Sequence, residues 1–188
     1  MKWGLVLCLF FGLVACSDLQ RPEQLNKIAG LVEMLDGAES SLENISVDKL
    51  QGIFHASEAV KAKILAEMPD SLDLDRAIRL DRFREAGDAA LLLSVEREEL
   101  RKIIPDYRKA LDKLKQDIEN GNGQKHKYDE YIDFEEKKVK DFSARVDDCL
   151  AKFRAIVDVD DELREVIEGE FNERMRSLLV QLAEKDLE

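Results

Sequence analysis

Residues 71–120 read SLDLDRAIRLDRFREAGDAALLLSVEREELRKIIPDYRKALDKLKQDIEN, and their apolar positions decide the fold. Phe83, Ala86, Ala90, Leu93, Arg97, Leu100, Ile104, Tyr107, Leu111, Leu114 and Ile118 follow one another at alternating steps of three and four. A helix repeats every 3.6 residues, so this spacing places them on one stripe of one long helix. A stripe sustained over that length is how helices pack along each other in coiled coils. Pro105 removes one backbone hydrogen bond and is expected to kink the helix without ending it, because the stripe resumes in phase. Unbent, a helix from Ser71 to Asn120 would reach on the order of 70 Å.

Working outward, Gly121-Asn122-Gly123 is the clearest turn in the chain. A fourth helix is predicted beyond it to about Val157, with Ile132, Val139, Phe142, Val146, Cys149, Phe153 and Ile156 facing inward. The run Val157-Asp158-Val159-Asp160-Asp161 fits either a break with an aspartate N-cap or continuous helix. The last segment, Asp161 to about Leu187, carries Leu163, Ile167, Phe171, Met175, Leu178 and Leu182 at helical spacing.

Upstream, a first helix is predicted from Pro22 to about Ile45, on Leu25, Ile28, Val32, Leu35, Leu42 and Ile45, with Gly37 as its end or a bend. A second runs from about Val47 to Met68 behind Ser46 as N-cap, on Leu50, Ile53, Phe54, Val60, Ile64 and Met68, and Pro69 closes it. Period-two alternation appears nowhere. The expected fold is all-α: an elongated up-and-down bundle, one domain over residues 22–188, with a long coiled-coil-like antiparallel hairpin.

The first sixteen residues have a different composition. MKWGLVLCLFFGLVAC holds Lys2, then an apolar run from Leu5 to Val14, then small residues before Cys16. About ten apolar residues is the length of a signal-peptide core, whereas a spanning helix needs about 20. Leu13-Val14-Ala15-Cys16 resembles the lipobox of bacterial lipoprotein precursors. That resemblance covers these sixteen residues and names a processing class. It implies diacylglyceryl transfer to the Cys16 sulfur, cleavage after Ala15, and an N-terminus held by two or three acyl chains. A single basic residue, Lys2, precedes the core, fewer than such signals often carry. Ser17 after the cysteine resembles outer-membrane cargo, with the outer face of the cytoplasmic membrane as the alternative. Residues 17–21 then form a short tether.

The chain carries 29 Lys and Arg against 41 Asp and Glu, a net charge of −12. Removal of Lys2 with the signal would make the balance one unit more negative. Such a body excludes nucleic acid as a partner and discourages broadside contact with anionic lipid. Of Cys8, Cys16 and Cys149, only Cys149 would persist as a thiol, so no intramolecular disulfide is expected. Cys149 lies on the apolar seam between Val146 and Phe153 and reads as a small buried hydrophobe.

Candidate chemistry is sparse. An EF-hand loop begun at Asp158 would need glycine at Leu163 and glutamate at Gly169, so the acidic run reads as a solvated helix start. His55 with Glu58 and His126 with Asp129 do not supply the two Glu-x-x-His pairs and two further carboxylates of a bundle di-iron site. No metal, cofactor or catalytic set is expected. The segment with functional content is Lys125, His126 and Lys127, beside Tyr128, Tyr131 and Phe134. Three basic groups at a helix start oppose the helix dipole, so local stability is not expected to explain them. With helices alternating in direction, this tip would be membrane-distal and would contact a partner. The function expected is a lipid-anchored, non-catalytic structural or protein-interaction module of the cell envelope. It would be held by acyl chains on Cys16 and engage an envelope protein. The alternatives are a periplasmic holdase or assembly factor, or a small-ligand carrier or enzyme.

Overall fold

A computed structural model describes the backbone of residues 4–67 and 73–185, with side chains over 20–63, 73–170 and 172–173. Four α-helices follow in order: α1 (Gly4–Glu43), α2 (Val47–Glu67), α3 (Leu74–Asn120) and α4 (Tyr128–Lys185), with one 3₁₀ turn at Lys125–Lys127. Among the described residues there is no strand. The chain is an all-α bundle.

Local chemistry sets the helix ends. Ser46 caps α2 as expected: its hydroxyl accepts from the Lys49 amide at 3.2 Å. At α3 the cap is Asp73, whose carboxylate accepts from the Arg76 amide at 2.9 Å; Ser71 lies outside the described residues. The other end of α3 closes as a Schellman motif, with Asn122 N–H donating to Asp117 O at 2.8 Å and Gly121 N–H to Ile118 O at 3.2 Å.

One boundary differs from expectation, and α1 does not end at Gly37 but runs through it to Glu43. Helix α1 begins at Gly4, so Pro22 lies inside it and residues 17–21 are helical rather than an extended tether. One missing donor at Pro22 is a local loss, and the surrounding residues are adequate helix formers. Helix α4 is continuous through residues 157–161, which resolves the two readings of the acidic run. The α3 helix likewise runs through Pro105.

The chain forms two compact units, the first from Met1–Asn44 with Glu98–Asp148 and the second from Ile45–Arg97 with Cys149–Glu188. In the first, α1 lies antiparallel to α3: Arg108 of α3 reaches Asp36 at 2.7 Å and Glu39 at 2.5 Å, while Arg21 comes to the end of α3 near Gly121. Helix α4 returns antiparallel to α3, with the Tyr107 and Phe142 rings 5.4 Å apart. Ile28, Leu31, Leu35, Leu42, Leu100, Ile104, Leu111, Ile118, Ile132, Val139, Phe142 and Val146 form the buried interior of this unit. Hydrogen bonding to Asp36 holds the Arg108 guanidinium above its ordinary range.

In the second unit α2 runs parallel to α4, since Lys49 meets Asp160 and Arg164 meets the Gly52 carbonyl. Helix α3 is antiparallel to α4: Arg82 forks onto Glu162 at 3.0 and 2.8 Å, and Arg79 reaches Glu170 at 2.6 Å. Phe83, Leu163 and Ile167 form a buried cluster against Ala56, Val60, Leu80 and Val159. Leu50, Ile53, Ala86, Ala90, Leu93, Cys149 and Ile156 extend that interior, so Cys149 is buried as its place on the seam implied.

Candidate functional site at the hairpin turn

The turn between α3 and α4 requires two left-handed residues, and glycine occupies both: Gly121 at φ +66° and Gly123 at φ +79°. The Lys127 amide then donates to Gln124 O at 2.9 Å and winds the 3₁₀ turn that leads into α4. Tyr128, the first residue of α4, is 5% exposed. Its hydroxyl donates to Asp117 O at 2.9 Å and also lies on Asn122 O. Burial pushes this phenol above its ordinary value of 10.0. Tyr128 was expected in the partner-contact tip; it faces inward instead, with its hydroxyl reaching the Asp117 and Asn122 carbonyls across the turn between α3 and α4.

Lys125 also has a local role that sequence reasoning missed. A Cβ built on Gly121 would lie 2.9 Å from Lys125 Cε and Nζ, so this side chain folds back over the C-terminus of α3. A cation there is favoured by the negative end of the α3 dipole. The cluster does oppose the α4 dipole, but for Lys125 the neighbouring helix end answers that cost.

The other tip residues face outward. His126 is exposed and Lys127 half-buried. Tyr131 is 40% and Phe134 62% exposed, and the Lys138 ammonium stands 5.4 Å from the Phe134 ring centre.

The tip is not at the end of its unit opposite the start of α1. Gln24 Nε2 donates to Asp129 Oδ1 at 3.1 Å, and Arg21 Nη2 lies 3.9 Å from the Gly121 Cβ position. Because α1 is antiparallel to α3, the turn sits beside Arg21 and Gln24, only a few residues after Cys16. The side chains of Leu13 to Cys16 lie outside those described. Among the described residues no helix is long and apolar enough to cross a membrane.

A second cluster was misread from sequence. Asp160, in the run expected to be solvated, is 1% exposed. Its carboxylate meets Lys49 Nζ at 3.1 Å and Arg164 Nη2 at 2.7 Å, while the exposed Asp161 takes Lys49 at 3.2 Å. Hydrogen bonding to Asp160 holds the Lys49 ammonium above 10.5. The group ties α2 to α4 through one buried carboxylate, Asp160, held between two cations that reach the surface.

Of the remaining candidates, His55 is exposed on α2 beside Phe54, ring centres 5.4 Å apart. Among the described residues no three His, Cys, Asp or Glu side chains converge at metal-binding range. A depression lined by Pro105, Arg108, Lys109, Asp112, Lys113 and Gln116 is open to solvent along one helix face. Leu91, Leu92 and Val95 leave an apolar patch exposed on α3, Leu92 at 70%. Comparison with family models, with curated proteins and with solved structures finds no match for this chain.

Proposed function

We propose that this protein is a lipid-anchored component of the bacterial cell envelope that acts without catalysis, as a structural or protein-interaction module. The observation that carries the reading is Cys16 standing at the end of the Leu5–Val14 apolar run, directly after Leu13-Val14-Ala15. On this reading the end of the first unit that holds Arg21, Gln24 and the α3–α4 turn stands beside the bilayer. An outer-membrane location is favoured by Ser17.

Partition into the detergent phase tests the anchor. The wild-type chain should enter that phase and a Cys16→Ser chain should remain aqueous; equal partition overturns the reading.

The interaction role draws support from Leu91, Leu92 and Val95, large apolar side chains exposed within little more than one turn of α3. A holdase or assembly factor would use the same kind of surface. Crosslinking in the native envelope separates these readings: a single stoichiometric partner indicates a module, and many unfolded clients indicate a holdase.

A further inference from the structure

We propose that the end of the first unit formed by residues 121–127 and Arg21 is a contact surface for an anionic bilayer, so that the acylated protein stands on its membrane by this end. The proposal rests on the anchor reading above and adds to it an orientation and a lipid class. Residues 121–128 carry Lys125, His126 and Lys127 with no carboxylate, in a chain whose net charge is −12. Arg21 approaches Gly121 from α1, adding a fourth basic group to the same end. Tyr131 and Phe134 are exposed within the first two turns of α4. Cations with neighbouring aromatic rings suit the headgroup zone, where anionic phosphates attract the first and the interface accepts the second.

Position makes the bilayer the favoured occupant over an acidic protein. Cys16 precedes Arg21 by five residues, a reach of roughly 17 Å even when extended, so the acyl chains hold this end at headgroup distance. The carboxylates at this end are Glu23 on α1, Asp117 and Glu119 in the last turn of α3, and Asp129, Glu130 and Asp133 in the first two turns of α4. Asp129 is engaged by Gln24, and it and Glu130 occupy the first turn of α4, where acids answer the helix dipole. A few cations among such acids would not hold a protein on a membrane alone. They orient one already held by acyl chains, with the acidic body pointing away.

The test uses the lipidated full chain in phosphatidylcholine vesicles with or without phosphatidylglycerol. An environment-sensitive dye on Gln124→Cys, an exposed uncharged position of the turn, reports the tip, because Cys16 is acylated and Cys149 buried. The expected result is brighter, blue-shifted emission on phosphatidylglycerol vesicles, reversed by high salt. Most of that shift is lost in Lys125→Gln/Lys127→Gln, with vesicle flotation unchanged. Lys127→Gln alone leaves Lys125 over the end of α3 and should still reduce the shift, which separates lipid contact from a loosened turn. Equal emission on both vesicles, with the chain still floating, overturns the bilayer contact and leaves the anchor standing. Failure to float with either vesicle overturns the anchor and the contact together. A shift produced by an acidic envelope protein and not by phosphatidylglycerol overturns the lipid assignment in favour of a protein partner.

Discussion

Gly87 of α3 lies directly against Ser57 of α2: a Cβ at position 87 would fall 2.3 Å from Ser57 Oγ and 2.4 Å from its Cβ. Ser57 is buried, so it has no solvent to retreat into. Gly87→Ala should therefore cost about 1–3 kcal/mol despite alanine's better helix propensity, because overpacking at a tight crossing shifts backbone. Chemical denaturation checks this. Gly87→Ala combined with Ser57→Gly should recover part of the loss; strict additivity would show that the two positions do not share the crossing.

Asp160 and Asp161 are adjacent in sequence and opposite in environment. Removing the buried carboxylate leaves Lys49 and Arg164 without it, although both reach water, so Asp160→Ala should cost about 1–3 kcal/mol. Asp161 has a side chain 66% exposed, and Asp161→Ala should stay within about 0.5 kcal/mol. Equal effects in thermal melts would contradict this division of labour.

Tyr128→Phe keeps the ring in place and removes the donor that serves Asp117 and Asn122. The expected cost is about 1 kcal/mol. The loss should be local: amide exchange in residues 121–127 rises, while exchange at the centres of α3 and α4 barely changes.

The pH response follows from the sign of each shift. Lys49 and Tyr128 both have folded values raised, the first chiefly by its hydrogen bond to Asp160 and the second by burial. Their contributions are present in full below 10.5 and 10.0 and are lost as pH rises through the higher folded values. Glu162 is lowered from 4.5 by its hydrogen bond to Arg82, so its contribution is present above 4.5 and is lost as pH falls through the lower folded value. Alkaline titration of the denaturation midpoint should therefore fall less steeply in Lys49→Met and Tyr128→Phe than in wild type. An unchanged alkaline limb in both variants would refute the assignment.

The α3 seam was legible almost residue by residue, because a heptad pattern reports which face of a helix is buried. Phe83, Ala86, Ala90, Leu93, Leu100, Ile104, Leu111, Leu114 and Ile118 are all buried. The pattern is silent on which helix lies against which. The burial of Asp160 depends on Lys49, more than a hundred residues away, so locally the run Asp158–Glu162 looked like any solvated acidic stretch. Gln24 and Ser57 were missed for the same reason: a buried polar residue is recognisable only beside its neighbour. At the tip the turn was legible in Gly121-Asn122-Gly123, but its location was not. A glycine turn declares itself locally, whereas its proximity to Arg21 comes from the direction in which α1 packs. Tyr128 carried no sequence mark separating it from Tyr131, since only the turn's carbonyl geometry draws one ring inward.

The division of the chain into Met1–Asn44 with Glu98–Asp148 and Ile45–Arg97 with Cys149–Glu188 has a consequence for heredity. No contiguous stretch of gene encodes one unit alone. A duplication, fusion or recombination event that carries all of one unit also carries helical segments whose packing partners belong to the other. The two halves are therefore expected to be gained, lost and diversified as a single genetic object.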